Sequence, residues 1–230
     1  MSKNFRKFFK SKYPYRMTEF DEYVKRWENT MTPYVTKESQ ERMVQVDVFS
    51  ALMEKSRIIT FNEDVNSNTA SIALSQLLYL HSIDSDSPIS LYICSPGGDV
   101  YSGLALYDTM QLVKQDLDLS TVCCGLAASM GSILLSGGTK GKRFALPNST
   151  VMIHSVSTGS GRITYPDLKI MTQETEALNE KLMKILSDNS GKPYDEVVED
   201  CGRDRWLRAE ECLPGNYGEF GLVDKIITKL

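Results

Sequence analysis

From Leu119 to Thr139 the chain runs 21 residues without a charged side chain. A stretch of that length must leave water, either across a membrane or inside a folded core. Gly125, Gly131, Gly137 and Gly138, interleaved with Ser120, Ser129, Ser132 and Ser136, make a poor membrane span, and no companion span exists elsewhere in the sequence. The remaining solution is a buried strand that turns directly into a buried helix, which commits the chain to an α/β core. The turn falls within Val122-Cys123-Cys124-Gly125-Leu126-Ala127-Ala128-Ser129-Met130-Gly131, where Ser129 stands among small residues. A serine near a helix N-terminus meets free N–H groups and the positive end of the dipole, both of which favour developing negative charge. The spacing resembles the strained elbow G-x-S-x-G, with Ala127 in place of the first glycine. Taken alone, it reads first as a small residue that lets a core helix pack closely.

A nucleophilic serine needs a base, and the chain has only two histidines, His81 and His154. His81 closes an apolar run with helical spacing, Ile72 to Leu80, and reads as a helix C-terminal residue interacting with the dipole. His154 ends the β-branched run Ser149-Thr150-Val151-Met152-Ile153, so a strand delivers its imidazole to an edge where a loop begins. An acid must orient that imidazole, and Asp167, Asp188, Asp195, Asp200, Asp204 and Asp224 all remain candidates. The turn Cys94-Ser95-Pro96-Gly97-Gly98 follows a strand-like run, Ile89 to Ile93. Its glycines permit conformations in which a backbone N–H points at a ligand, as an anion hole requires, although Pro-Gly pairs also mark ordinary turns.

Together these segments resemble the Clp protease family over about Val44 to Ile227. The carriers are Ser95-Pro96-Gly97-Gly98, Tyr107-Asp108-Thr109-Met110-Gln111, Gly125-Leu126-Ala127-Ala128-Ser129-Met130-Gly131, Gly141-Lys142-Arg143-Phe144-Ala145-Leu146-Pro147-Asn148-Ser149, Val151-Met152-Ile153-His154, Arg203-Asp204-Arg205-Trp206-Leu207 and Gly221-Leu222-Val223-Asp224. The resemblance implies a ClpP/crotonase-like α/β fold of repeated β-α units with a projecting handle, a strand plus a long helix. It aligns Ser129 with the family nucleophile, His154 with the general base and Asp204 with the orienting acid. It assigns the oxyanion to the backbone N–H groups of Gly98 and Met130. It further implies an endopeptidase that degrades unfolded or unfoldase-delivered proteins without metal or organic cofactor, built as two stacked heptameric rings in the cytoplasm. The implied partner is an AAA+ unfoldase of the ClpX, ClpA or ClpC type, which spends the ATP. A crotonase-type acyl-CoA enzyme and a non-catalytic ring subunit are the rival readings. Departures from the family pattern lie at Ser155-Val156, where Gln-Pro is usual, in Ser157 to Arg162, at Gly202, and at Ser90 and Leu112. Leu213 to Tyr217 reads as an inserted turn.

The net charge of −4 hides an asymmetry. Lys3, Arg6, Lys7, Lys10, Lys12 and Arg16 meet no acid in residues 1–16, which leaves −10 on the remainder and argues against a nucleic-acid partner. Residues 1–40 therefore read as a basic, aromatic N-terminal extension, with a composition that suits an organelle-targeting helix or a surface anchor, whereas the resemblance implies a propeptide or axial segment. Residues 41–230 read as the peptidase domain, with the handle over about 155–189. Five cysteines, odd in number and without C-x-x-C spacing, read as reduced thiols. The periodicities predict helix 46–54, strand 57–61, helix 67–82, strand 88–94, helix 101–115, strand 120–124, helix 129–137, strands near 142–146 and 150–154, and a long helix over about 166–189. Along that last helix Leu168, Met171, Thr175, Leu178, Leu182 and Ile185 form a narrow seam suited to a facing helix or to the chain's own core; the resemblance to the family's handle implies that it mates two rings.

Overall fold

The computed structural model describes residues 34–39, 42–159, 161, 163–215 and 220–229. The chain divides into two units, Met1–Ala51 and Leu52–Leu230. In the first, β1 (Tyr34–Ser39) and β2 (Arg42–Asp47) pair antiparallel, with Tyr34 opposite Asp47 and Ser39 opposite Arg42. That pairing corrects the helix expected over 46–54. Helix α1 (Val48–Ser56) starts only once the ladder ends, and the Asp47 carboxylate accepts the Ser50 N–H at 2.9 Å. Apart from β1, the basic N-terminal extension lies outside the described residues.

The second unit is built on a mostly parallel sheet. Strands β3 (Ile58–Phe61), β4 (Ile89–Ser95), β5 (Leu119–Ala128), β6 (Arg143–Ala145) and β9 (Lys225–Ile226) run parallel in that order, while β7 (Thr150–Ile153) lies parallel to β5 and β8 (Arg205–Arg208) antiparallel to β7. Helices α2 (Ser67–Ile83), α3 (Val100–Val113), α4 (Met130–Ser136) and α5 (Tyr165–Ser190) match the expected spans, and α6 (Tyr194–Asp200) is added. Each long helix has a local reason to start. Asn66 and Thr69 form a capping box for α2, Asp99 accepts from Ser102 at the head of α3, and Thr164 caps α5 with Pro166 in its first turn. Gly191 ends α5 in a left-handed conformation at φ 80.

Burial alternates along β4. Ile89, Leu91, Ile93 and Ser95 are fully buried, whereas Ser90, Tyr92 and Cys94 on the other face are only half-buried. The buried face joins Leu77 and Leu80 of α2 and Leu106 and Met110 of α3 in one hydrophobic core. Strand β5 is longer than expected because it serves two neighbours on one edge. Thr121 to Cys123 pair with β6, and Leu126 to Ala128 pair with β7. The change of partner falls at Gly125, at φ 96, and the Ser149 hydroxyl braces it by donating to the Cys123 carbonyl at 2.7 Å and accepting the Gly125 N–H at 3.3 Å. The charge-free run thus resolves into β5 and the wholly buried α4. Among the described residues, no helix is long and apolar enough to cross a membrane.

Two expectations for the handle change. Among the described residues of 155–164 there is no strand, because this segment pairs with none of the chain's own strands; Ser160 and Arg162 lie outside the description. The seam along α5 also divides. Leu182 and its neighbours Met183 and Leu186 belong to the chain's own core, with Leu178 buried and Ile185 partly so, whereas Leu168, Ile170 and Tyr165 are exposed. Asn216 and Tyr217 of the inserted turn are not described.

A buried ion pair locks β6 to the C-terminal segment. Arg143, 4% exposed, donates from Nε and Nη2 to both oxygens of Asp224 at 3.0 and 2.6 Å, and from Nη1 to the Asn189 carbonyl at 2.7 Å. Burial works to raise the Asp224 carboxyl, but the bonds from Arg143 and the Gly141 N–H outweigh it and hold the group below its ordinary value of 3.8. A depressed carboxylate contributes its stability above 3.8 and loses it as pH falls through the folded value. Asp224→Ala, which strands the guanidinium, is expected to cost about 3–5 kcal/mol in urea unfolding at pH 7. The gap between variant and parent should narrow below about pH 4.

Candidate active site

The first half of the site is a strained backbone. Ser129 joins β5 to α4 without a loop and adopts φ 53, ψ −122, a conformation that a side-chain-bearing residue holds only when its surroundings enforce it. The Ser129 N–H donates to the Met152 carbonyl of β7 at 2.8 Å, and its own carbonyl accepts from the Ser132 N–H and hydroxyl at 2.9 and 2.6 Å. These bonds hold the elbow that the small-residue pattern foreshadows, with the hydroxyl directed to the C-terminal edge of the sheet.

The second half is the turn after β4. Val65 pairs with it, giving its N–H to the Gly97 carbonyl at 2.8 Å and accepting the Asp99 N–H at 2.7 Å. Gly97, at φ 89, lies so close to the elbow that a Cβ there would sit 2.6 Å from the Ala128 carbonyl oxygen and the Ser129 Cβ, and 2.9 Å from the Met130 nitrogen. Gly98, at φ 147, is closed in the same way by the Val65 carbonyl at 2.2 Å. Among the described residues, no acceptor takes the N–H of Gly98 or of Met130. Two donors without partners thus flank the serine, which is the arrangement an oxyanion requires.

His154 follows directly on β7, and because β7 pairs with the end of β5 its imidazole reaches the serine. Nε2 of His154 lies 2.8 Å from Oγ of Ser129. On the other side Nδ1 lies 3.8 Å from Oδ1 of Asp204, whose side chain is 65% exposed. The remaining aspartates are engaged elsewhere or distant. Asp200 pairs with Lys192 at 2.7 Å and with Arg205, Asp224 with Arg143, Asp188 with Lys184, and Asp167 with the Thr164 hydroxyl; Asp195 sits in the first turn of α6. His81, in the last turn of α2, bonds Asp116 at 2.8 Å and takes no part. A narrow cleft of about 50 Å³ adjoins the serine, lined by Val100, Met130, Ile133, Val156, Leu182 and Met183 among others. Its apolar wall from α5 was not read as part of the site, because residues so far apart in sequence share a face only through the tertiary fold.

The sequence model described as Clp protease matches residues 39–230. The chain belongs to the Clp protease family. It is 42% identical over 209 residues to the ATP-dependent Clp protease proteolytic subunit of Bacteroides fragilis, covering 91% of this chain and 97% of that protein. The protein of the same description from Porphyromonas gingivalis is 44% identical over 210 residues, covering 91% and 90% of the two chains. The elbow and glycine turn of this Clp-family chain form one packed unit. Gly97→Ala must therefore displace one of them, and labelling of Ser129 by a fluorophosphonate is expected to slow by roughly 10²-fold, as for a misplacement of about 1 Å. Mass spectrometry of the labelled peptide measures this, and an unchanged rate would show that the contact is not rigid.

Proposed function

We propose that this Clp-family chain is a serine endopeptidase acting on unfolded polypeptide, with Ser129 as nucleophile, His154 as base and Asp204 as the acid that orients it. The observation that carries the reading is the 2.8 Å contact between Ser129 Oγ and His154 Nε2 at a strained elbow flanked by the open N–H groups of Gly98 and Met130. Ser129 attacks the peptide carbonyl as its proton passes to Nε2, and the tetrahedral oxygen accepts hydrogen bonds from Gly98 and Met130. The proton then moves from Nε2 to the leaving amine, and His154 activates water to hydrolyse the acyl-enzyme. Asp204 keeps the second ring proton on Nδ1. At 3.8 Å its carboxylate stands beyond hydrogen-bond distance, as catalytic contacts often do before substrate binds. The apolar cleft beside Ser129 suits a hydrophobic side chain next to the scissile bond. A crotonase-type enzyme would polarise a thioester with the same N–H pair but would leave the serine–histidine contact without a use.

The half-exposed second face of the parallel sheet, with Ser90, Tyr92 and Cys94, supports self-assembly, since parallel sheets are normally covered on both faces. The exposed Tyr165, Leu168 and Ile170 at the head of α5 suit a contact with a second copy; two stacked heptameric rings with a Clp ATPase as partner are what membership of the family implies. A reducing, cytoplasmic compartment suits the five free thiols. Burial pushes Cys123 and Cys212 up to about 12 and Cys201 up to about 11, so these three are inert.

Ser129→Ala is expected to abolish fluorophosphonate labelling and peptide cleavage while leaving the particle size unchanged by sedimentation. Labelling that persists in the variant would remove Ser129 as nucleophile. Asp204→Asn should lower kcat by roughly 10³-fold by presenting the wrong histidine tautomer. Asp200→Asn should instead act on stability, through the loss of the Lys192 and Arg205 pairs, and the reverse pattern in steady-state kinetics would reassign the acid.

A further inference from the structure

His154 stands just past the end of a four-residue strand, so its imidazole is aimed by whatever grips the backbone beyond it. Ladder pairing stops at Ile153, opposite Arg205, and the described residues that follow belong to no strand. Two grips replace the ladder. The Cys201 carbonyl, at the C-cap of α6, accepts both the N–H of Ser155 at 2.7 Å and its hydroxyl at 2.8 Å. One residue further on, the N–H of Val156 donates to the side-chain oxygen of Asn179 at 3.0 Å. Asn179 lies in the middle of α5, half-buried, beside the buried Leu178 and one turn before the core residue Met183.

An asparagine is a poor choice for that position on helical grounds alone, since it is a weaker helix former than the leucines around it. Its carboxamide gains its use from the tertiary bond. Val156 is itself half-buried, packs on the core and lines the cleft with Ser129 and His154, so its N–H would lose its partner if the acceptor were removed. We propose that Asn179 is a positioning residue for His154, a fixed acceptor on the long helix that sets the path of the chain leaving the base. This rests on the reading of Ser129 and His154 as nucleophile and base. Asn179 touches neither of them and acts through the backbone of Val156 and Ser155, in parallel with the Cys201 carbonyl, which ties the same segment to the helix that precedes Asp204.

The test uses the full assembled chain and compares Asn179→Leu, which keeps the bulk and removes the acceptor, with Asn179→Asp, which keeps a side-chain oxygen in the same place. Peptide hydrolysis by the leucine variant is expected to lose about 10- to 100-fold in kcat with KM within about twofold, because the reacting groups are misaligned while the cleft is intact. Fluorophosphonate labelling of Ser129 should slow in parallel. The aspartate variant should recover to within about threefold of the parent. A leucine variant with full kcat, or an aspartate variant no better than leucine, would overturn the proposal and leave Asn179 a packing residue. Hydrogen exchange on the unaltered protein provides a measurement that needs no variant to fold: the Val156 amide should be protected despite lying outside any strand, and fast exchange there would overturn the proposal. Failure of the underlying catalytic reading is distinguishable, since it would appear as an unaltered protein that is not labelled at Ser129.

Discussion

The site depends on one strand having two partners along a single edge. Strand β5 gives its first half to β6 and its second half to β7, and the handover requires a residue at φ 96 and a hydroxyl to bridge the interrupted ladder. Gly125 and Ser149 supply these. Without the handover β7 would not lie against the end of β5, and the residue after β7 would not meet the residue after β5. The 2.8 Å contact between His154 and Ser129 is thus a consequence of strand pairing, fixed 25 residues apart in sequence by the order of a parallel sheet. Binding groups gathered at the carboxyl ends of neighbouring parallel strands are the general outcome of such sheets.

Much of this was legible in the sequence because the signals were local. The strand-to-helix elbow is visible as small residues in an uncharged run, and the base is visible because only two histidines exist and only one of them ends a strand-like segment. The glycine turn carries its own conformational signature. The acid was not legible from residue chemistry alone, since six aspartates carry the same chemistry, and only the resemblance singled out Asp204. In three dimensions the question becomes one of occupancy. Asp200, Asp224, Asp188 and Asp167 already have partners, and the carboxylate of Asp204 faces the imidazole.

What sequence reasoning missed is non-local. The β1–β2 hairpin is the exception, a local pairing of neighbouring segments, and the end of its ladder sets the start of the next helix at Val48. Strand β8, in which charged ends flank Trp206 and Leu207, shows itself only by pairing with β7. The seam along α5 was read as one surface, yet its last turns face the chain's own core and its first turns face outward. A 3,4 spacing identifies a stripe but not what lies opposite each part of it.

The near contact between Gly97 and the elbow divides the proposed catalytic apparatus into parts of unequal rigidity. The backbone of Gly97, Gly98, Ser129 and Met130, which carries the proposed nucleophile and oxyanion donors, is close-packed without room for a methyl group, so those atoms move as a single body. The histidine follows a short strand, and the segment beyond it is secured by three hydrogen bonds, while the aspartate stands on an exposed segment before β8. Any disturbance arriving through the long helix therefore reaches the proposed proton relay before it reaches the proposed oxyanion hole. In such a molecule, quiescence means a serine that still sits in its cradle but has lost its partner for the proton, a state reversible by restoring alignment alone.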